Sequence, residues 1–208
     1  MIPKIIHQIW FGKNKPSIYM NKWKNLNPNW EYRLWTDRNM FPLINQKHFD
    51  SISTFNGKSD IVRYEILYNN GGFYVDADTI PLLPLDDFFV EDDLFSCYES
   101  ERLRPGLIAS SFLGASKNNE FIKLVIDELN GMPPIQTKRP DDSWITVGPK
   151  YFTEMVNKHQ PKIKIHPSHF FNPAHFASGD VYQGPGKVYC DHYFGTTKGR
   201  YSEQMAFL

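Results

Sequence analysis

The chain has 208 residues, with 23 Lys and Arg balanced by 23 Asp and Glu, a length that suits one domain with a substantial core. The charge balance excludes the global field that draws a protein to nucleic acid or to an acidic membrane surface. Two cysteines far apart in sequence make no disulfide framework, no window approaches the ~20 apolar residues of a transmembrane helix, and the opening MIPKIIHQIW is too short and too polar for a signal peptide. A soluble, cytoplasmic protein is the expectation.

Residues 5–10 form a short apolar run that ends at Phe11-Gly12 and read as the first, central strand of an open sheet. A helix follows from Pro16-Ser17 through Met20, Trp23 and Leu26, and Asn27-Pro28 closes it. Residues 30–35 alternate as a second strand, and Thr36-Asp37 begin a weaker helical segment. Residues 58–70 then spell a helix. Ser59 is its N-cap, Asp60 sits in the first turn, and Ile61, Val62, Tyr64, Ile66, Leu67 and Tyr68 give a wide apolar stripe. Asn70-Gly71-Gly72 stops it with residues that accept positive φ, and Phe73-Tyr74-Val75 restarts the chain as a strand running into Asp76-Ala77-Asp78. The β-α-β-α-β order argues for an α/β domain whose sheet is mostly parallel and flanked by helices. Strands are expected at 94–98 and 111–115, with residues 99–106 between them as a polar, lid-like loop. Asn118 or Asn119 caps a helix carrying Phe121, Leu124, Val125 and Leu129. Residues 131–142 lack periodicity and read as exposed. Gly148-Pro149 opens a further helix with Pro in its first turn, residues 162–166 form a short strand, and the tail starts strand-like before a loop bearing Gly and Lys.

Asp76 and Asp78 stand two apart at a strand end, so an extended backbone turns both carboxylates to one side. Paired anionic oxygens there make a cradle for a hard divalent cation with positions left open for a ligand. A lone D-x-D also serves merely to cap a turn. Its place after Gly-Gly at a sheet mouth, where α/β proteins open ligand crevices, favours the site. In the tail, His192, Gly195 and Lys198 form H-x-x-G-x-x-K: an imidazole for a metal, a glycine for close backbone approach to an anion, and a lysine for phosphate. The competing reading makes His192 an ordinary buried histidine and Lys198 a solvated one. Asp180 and Asp191 are further acids in that region. Asp60 and Arg63, three apart on the helix, are either a surface ion pair or a pair that projects into the crevice to hold sugar hydroxyls. Tyr32 and Trp35 read as core. Trp10, at a strand end beside Gly12, suits stacking on a base as well as it suits burial.

Taken together, IPKIIHQIWFG, NPNWEYRLWTD, KSDIVRYEILYNNGGFYVDAD and VGPKYFT resemble glycosyltransferase family 32, the DXD-containing sugar transferases, which are similar to the clostridial toxin glucosyltransferase domain. The chain's length is also similar to that of the first domain of a chlorovirus capsid glycosyltransferase. The resemblance implies one GT-A domain over 1–208, either whole or the first domain of a longer protein, with a single Rossmann-like sheet. It implies transfer from a nucleoside-diphosphate sugar, a UDP-sugar by expectation, to a glycan or glycoprotein acceptor with Mn²⁺ or Mg²⁺ and with retention of configuration. Carried over by position, it sets Ile9, Trp10 and Gly12 around the nucleotide, with Tyr74 near it, and Asp60 and Arg63 on the donor sugar. It puts Asp76 on ribose or metal-bound water and Asp78 on the metal, while the tail resembles the H-x-x-G-x-x-K phosphate loop of the related retaining family 8, which sets His192 on the metal and Gly195 and Lys198 on the diphosphate. Thr196-Thr197 depart from the nearer relatives, which carry a tryptophan after a small residue there. Two rival readings are a haloacid-dehalogenase-type phosphatase, against which Ile80 stands where that motif wants Thr or Val, and a non-catalytic carbohydrate-binding module.

Overall fold

The computed structural model describes residues 1–13, 15–136, 140–175, 177–178 and 181–195. β1 (Ile5–Ile9) lies between β2 (Glu31–Trp35) and β3 (Gly72–Val75) and runs parallel to both. The crossovers carry α1 (Ser17–Leu26), α2 (Gln46–Ser51) and α3 (Phe55–Asn70). This half of the molecule is the β-α-β pattern written in the hydrophobic periodicity.

Beyond β3 the chain departs from the expected mostly parallel, single sheet. β5 (Leu94–Ser100), β6 (Arg104–Ile108) and β7 (Phe112–Ala115) continue the sheet in the order β2-β1-β3-β7-β5-β6. The β3–β7, β7–β5 and β5–β6 pairings are antiparallel, and β8 (Lys164–His166) joins β5 in parallel. The connection explains the β5–β6 pairing: a parallel neighbour needs a crossover of a dozen or more residues, and only 101–103 join these two strands. A second, two-stranded sheet pairs β4 (Thr79–Pro81) antiparallel with β9 (Cys190–His192).

Three local expectations also change. Residues 99–106 form the last two residues of β5, a turn and the start of β6, and do not make a free loop. No helix starts at Thr36-Asp37, where the chain makes a turn closed by Asn39, whose Oδ1 accepts from Thr36 N–H at 2.7 Å. α3 begins at Phe55, so Ser59 lies inside it and its hydroxyl donates back to the Phe55 carbonyl at 2.9 Å. The extra turn depends on Gly57, where a Cβ would come within 2.6 Å of Ser143 Oγ and 2.9 Å of Ile52.

Alternation along the strands divides the core. Ile9, Tyr74 and Leu113 face α3, α4 (Glu120–Gly131) and α6 (Pro149–His159) on one side of the sheet. Ile6, Phe73, Phe95 and Phe112 face Trp23 of α1 and an aromatic layer of Phe89, Phe171 and Tyr189 on the other. Asn119 caps α4, its side chain accepting from the Phe121 and Ile122 amides. α5 (Pro140–Thr146) occupies the end of the stretch expected to be irregular. The carboxyl ends of β1 and β3 and the start of β7 open at one rim between these layers, where the Asp76 amide donates to Ser111 O at 3.1 Å.

Candidate active site

β3 stops at Val75, and Asp76-Ala77-Asp78 form the turn into β4. The two carboxylates are therefore oriented by a turn and not by strand alternation. Gln8 Nε2 donates to the Asp76 carbonyl at 3.1 Å and Thr79 Oγ1 donates to it at 2.6 Å. Trp23 Nε1 in turn donates to Thr79 Oγ1 at 2.9 Å, tying this turn to α1. Asp78 and His192 are buried and Asp76 is half-buried.

β9 lies beside β4 with Thr79 opposite His192, which carries the imidazole to the acid pair across more than a hundred residues of sequence. His192 Nε2 is 3.3 Å from Asp78 Oδ1 and 3.8 Å from Asp76 Oδ2. One ligand atom from each of the three lies within 4.8 Å of the others, so they could hold one metal ion. The donor set fits a divalent cation, since two carboxylates and one imidazole supply charge while leaving coordination positions open. The His192–Asp78 pair is mutually stabilised. Against burial, the neighbouring carboxylates raise the His192 pKa, and His192 with the Gly195 amide lowers that of Asp78. Gly195 N–H donates to Asp78 Oδ2 at 2.8 Å. Within the described residues this amide thus faces the acid pair; the resemblance had set Gly195 on a diphosphate. Lys198 and Asp180, and Thr196-Thr197 as well, lie outside the described residues, and Asp191 is half-buried on β9 opposite Ile80.

Asp60 and Arg63 do not form a surface pair. They are 5% and 3% exposed and sit at the rim of the sheet. Arg63 Nη2 is 2.9 Å from Asp60 Oδ1 and 3.3 Å from Asp76 Oδ1, Nη1 donates to Ser110 Oγ at 3.0 Å, and the guanidinium lies 4.5 Å over the Tyr74 ring. Burial pushes Asp60 up to about 7 against the pull of Arg63, while, against its own burial, Arg63 has its pKa raised by Asp60, Tyr74 and Asp76. The pair is a charged guanidinium shared by Asp60 and Asp76, because Arg63 has two acidic neighbours whose negative charge holds it protonated. Tyr74 is buried, and its hydroxyl donates to Asp76 Oδ1 at 2.7 Å.

At the end of β1, Trp10 is half-buried, with Nε1 donating to Lys13 O at 3.1 Å. Gly12 has φ +89° and its amide donates to Asp37 Oδ2 at 3.2 Å. Ile9 is buried in the core beside them. Tyr32 and Trp35 are half-buried and pack against the two cores, with Tyr32 OH donating to Gln8 Oε1 at 2.7 Å.

Four residues of the rim escaped the sequence reading. Phe55, 59% exposed, puts its ring against Gly12, at 3.2 Å from where a Cβ would stand. Glu99 is buried on β5 near His192, Arg104, Asp76 and Arg63, and burial raises its pKa. Ser110 bridges Arg63 and Asp60. Asn172 touches His192. Only Glu99 had a signal in the sequence, an acid ending an apolar strand.

Residues 14–95 match the family model for the glycosyltransferase sugar-binding region containing a DXD motif. Inositol phosphoceramide mannosyltransferase 3 of Schizosaccharomyces pombe is 33% identical over 137 residues, covering 62% of this chain and 37% of that protein. The chain thus spans well under half the length of the curated relatives it matches. A glycosyltransferase involved in glycosylation of the major capsid of PBCV-1 superposes with TM-score 0.57 at 15% identity, covering 99% of this chain and 100% of that one. The UDP-bound glycosyltransferase domain of the YGT toxin superposes with TM-score 0.55 at 10% identity, covering 79% of each chain. The fold they share with this chain is GT-A: the mixed sheet, with its rim at the ends of β1 and β3, is the glycosyltransferase architecture.

Proposed function

We propose that this chain, whose residues 14–95 match the glycosyltransferase sugar-binding region containing a DXD motif, is a glycosyltransferase that moves a sugar from a nucleoside-diphosphate donor to a glycan or glycoprotein acceptor with the help of a divalent cation. The observation that carries the reading is the convergence of Asp76, Asp78 and His192 within 4.8 Å at the sheet rim, beside the buried Arg63–Asp60 pair.

Breaking an anomeric bond leaves negative charge on the departing diphosphate, and a cation held by Asp78, His192 and Asp76, either Mn²⁺ or Mg²⁺, supplies electrostatic stabilisation of that leaving group. The remaining work falls to the chain's own side chains. Trp10, with the Phe55 ring beside Gly12, offers flat apolar surface to a nucleobase at the end of β1. Arg63 and Asp60, held rigid by Ser110 and by the neighbouring α5–α6 corner, present a donor and an acceptor for sugar hydroxyls. Asp60 Oδ2 would lie 3.0 Å from a Cβ at Gly148, so the glycine of VGPKYFT leaves the carboxylate its place. Lys198 is assigned to the diphosphate on the resemblance alone, and so is retention of anomeric configuration.

A UDP-sugar is the proposed donor, in keeping with the UDP bound by the toxin domain of the same fold. The mannosyltransferase names of the curated relatives support a hydroxyl of a glycoconjugate as the acceptor. The phosphatase reading is disfavoured because Asp76 Oδ1 is occupied by Tyr74 and Arg63 and so makes a poor free nucleophile. A non-catalytic binding module has no need of an acid pair and an imidazole aimed at one point.

Calorimetric titration with UDP-sugars, with and without Mn²⁺, tests the proposal together with an assay of sugar release from the donor. Binding and slow donor hydrolysis that both require the cation are expected. Metal-independent binding, or no binding of any nucleotide sugar, would overturn it.

A further inference from the structure

A carboxylate taken out of water is costly unless charges or hydrogen bonds replace the water it has lost. Among the described residues the buried acids are Asp60, Glu65, Asp78 and Glu99. The first three are compensated. Asp60 has Arg63 at 2.9 Å, Glu65 accepts from the Ile44 and Asn45 amides at 2.7 and 2.8 Å, and Asp78 accepts from the Gly195 amide at 2.8 Å beside His192. Glu99 is the exception: it is 8% exposed, and no described residue hydrogen-bonds to its carboxylate or pairs with it. We propose that Glu99 is a donor-sugar-binding residue, its carboxylate accepting hydrogen bonds from hydroxyls of the sugar to be transferred. The inference rests on the nucleoside-diphosphate-sugar reading above and deepens it.

The fold aims this side chain at the cleft. Along β5, Phe95 and Cys97 pack into the second core with Phe112, and Glu99, two residues further on, continues the same face. Phe112 sets its edge against the His192 ring at 5.4 Å, so that face leads to the imidazole. The pairing of β5 with β6 is irregular at this point. Tyr98 stands opposite Ile108 and Ser100 opposite Arg104, which leaves residues 105–107 of β6 against Glu99 alone. Gly106, with φ +79°, takes up the bend. Bulges of this kind occur beside active sites, where they re-aim a side chain or end the pairing.

The surroundings of Glu99 favour the sugar as its ligand. Its carboxylate interacts electrostatically with His192, Arg104, Asp76 and Arg63. Of these, His192 and Asp76 belong to the cation and diphosphate end of the cleft, and Arg63, with Asp60, to the sugar end. A carboxylate that both ends feel stands beside the bond joining sugar to phosphate, which makes the donor its partner rather than a remote acceptor. Burial outweighs the pull of His192, Arg104 and Arg63, so the folded chain carries this acid at a cost. A group kept at the expense of stability is what a binding site holds in readiness for its ligand. Sugar hydroxyls suit it, since each brings the O–H donor that an ionised carboxylate, an acceptor only, lacks here.

Glu99→Gln keeps the shape of the side chain and removes its charge. Folding is read from the urea midpoint, and nucleotide binding from calorimetry with UDP and Mn²⁺. Sugar contact is read from kcat/KM for sugar release from UDP-glucose, UDP-galactose and UDP-N-acetylglucosamine. The variant is expected to keep the urea midpoint of the unaltered chain or exceed it, and to bind UDP within about twofold as well. Its kcat/KM for the preferred donor should fall about 10–100-fold, the size of a lost hydrogen bond to a charged group. Unchanged sugar release would overturn the proposal. So would a UDP affinity that falls as far as kcat/KM, since the loss would then lie with the nucleotide or the cation. A marked drop in the midpoint, or a variant that fails to fold, would make Glu99 a structural residue and overturn it too. In each of these cases the unaltered chain still uses a UDP-sugar and the donor reading stands; an unaltered chain that releases sugar from none of the three overturns both.

Discussion

Arg63 spends its charge on two carboxylates in a place water scarcely reaches. Taking away one partner of a buried pair leaves the other charged and uncompensated, at a cost of about 3–5 kcal/mol. Arg63→Met is therefore expected to lower the urea midpoint strongly, whereas Arg63→Met with Asp60→Leu recovers most of the stability and still fails to bind donor. Recovery of both together would mean the pair is only structural. His7 gives a second residue-scale prediction. Trp35 Nε1 donates to its Nδ1 at 3.1 Å, so its other nitrogen, Nε2, donates to Gly71 O at 2.8 Å, and burial holds its pKa down at about 4. The unfolded chain takes a proton near pH 6.5 that the folded chain refuses until about 4. Stability from His7 is thus complete above 6.5 and falls as pH drops through this window, by at most about 3 kcal/mol. His166, also held near 4 by burial, adds to the same fall. His7→Gln, which can replace both hydrogen bonds, should flatten part of the drop in unfolding free energy between pH 7 and pH 5. An unaltered slope would show that His7 is not buried as a neutral ring.

The joint between α3 and β3 is the element on which the site hangs. Gly71 and Gly72 have φ of +66° and +106°, as the Asn-Gly-Gly sequence leads one to expect. A Cβ at Gly72 would also come within 2.6 Å of Ile5 O and 2.8 Å of His7 Nε2. Gly72→Ala therefore combines backbone strain of about 1–3 kcal/mol with a clash at β1. It should shift the denaturation midpoint accordingly; a change of only a few tenths of a kcal/mol would contradict the close approach. The apolar stripe of α3 was legible from the helical spacing of Ile61, Val62, Tyr64, Ile66 and Leu67, all of them buried. Its start was not. Ser59 has the chemistry of a cap, but the packing of Gly57 against Ile52, Thr54 and Ser143 sustains another turn before it. Asp60 and Arg63 likewise look like a surface pair by spacing, and only the rim of the sheet and the α5–α6 corner decide that they are enclosed.

At the scale of the whole molecule the candidate cation site is a clasp between distant segments, β3–β4 and β9. Because a cation bound there favours the folded chain alone, Mn²⁺ at a hundred times its dissociation constant should add about 2.7 kcal/mol and raise the melting temperature by about 5–10 °C. The rise should vanish in His192→Ala and on chelation; a similar rise in that variant would locate the ion elsewhere. None of the described helices is long and apolar enough to cross a membrane.

Residue order by itself determined the parallel β1–β2–β3 half, the helix stops at glycine and asparagine, and the acid pair at a strand end, because each is a local matter of periodicity, φ and chain direction. The antiparallel half, the burial of Arg63 with Asp60, the approach of Glu99 and the meeting of Asn172 with His192 were decided only by tertiary structure. Those contacts join residues whose proximity comes from strand pairing and layer packing, and no spacing along the chain encodes the distance between two segments that meet across a sheet.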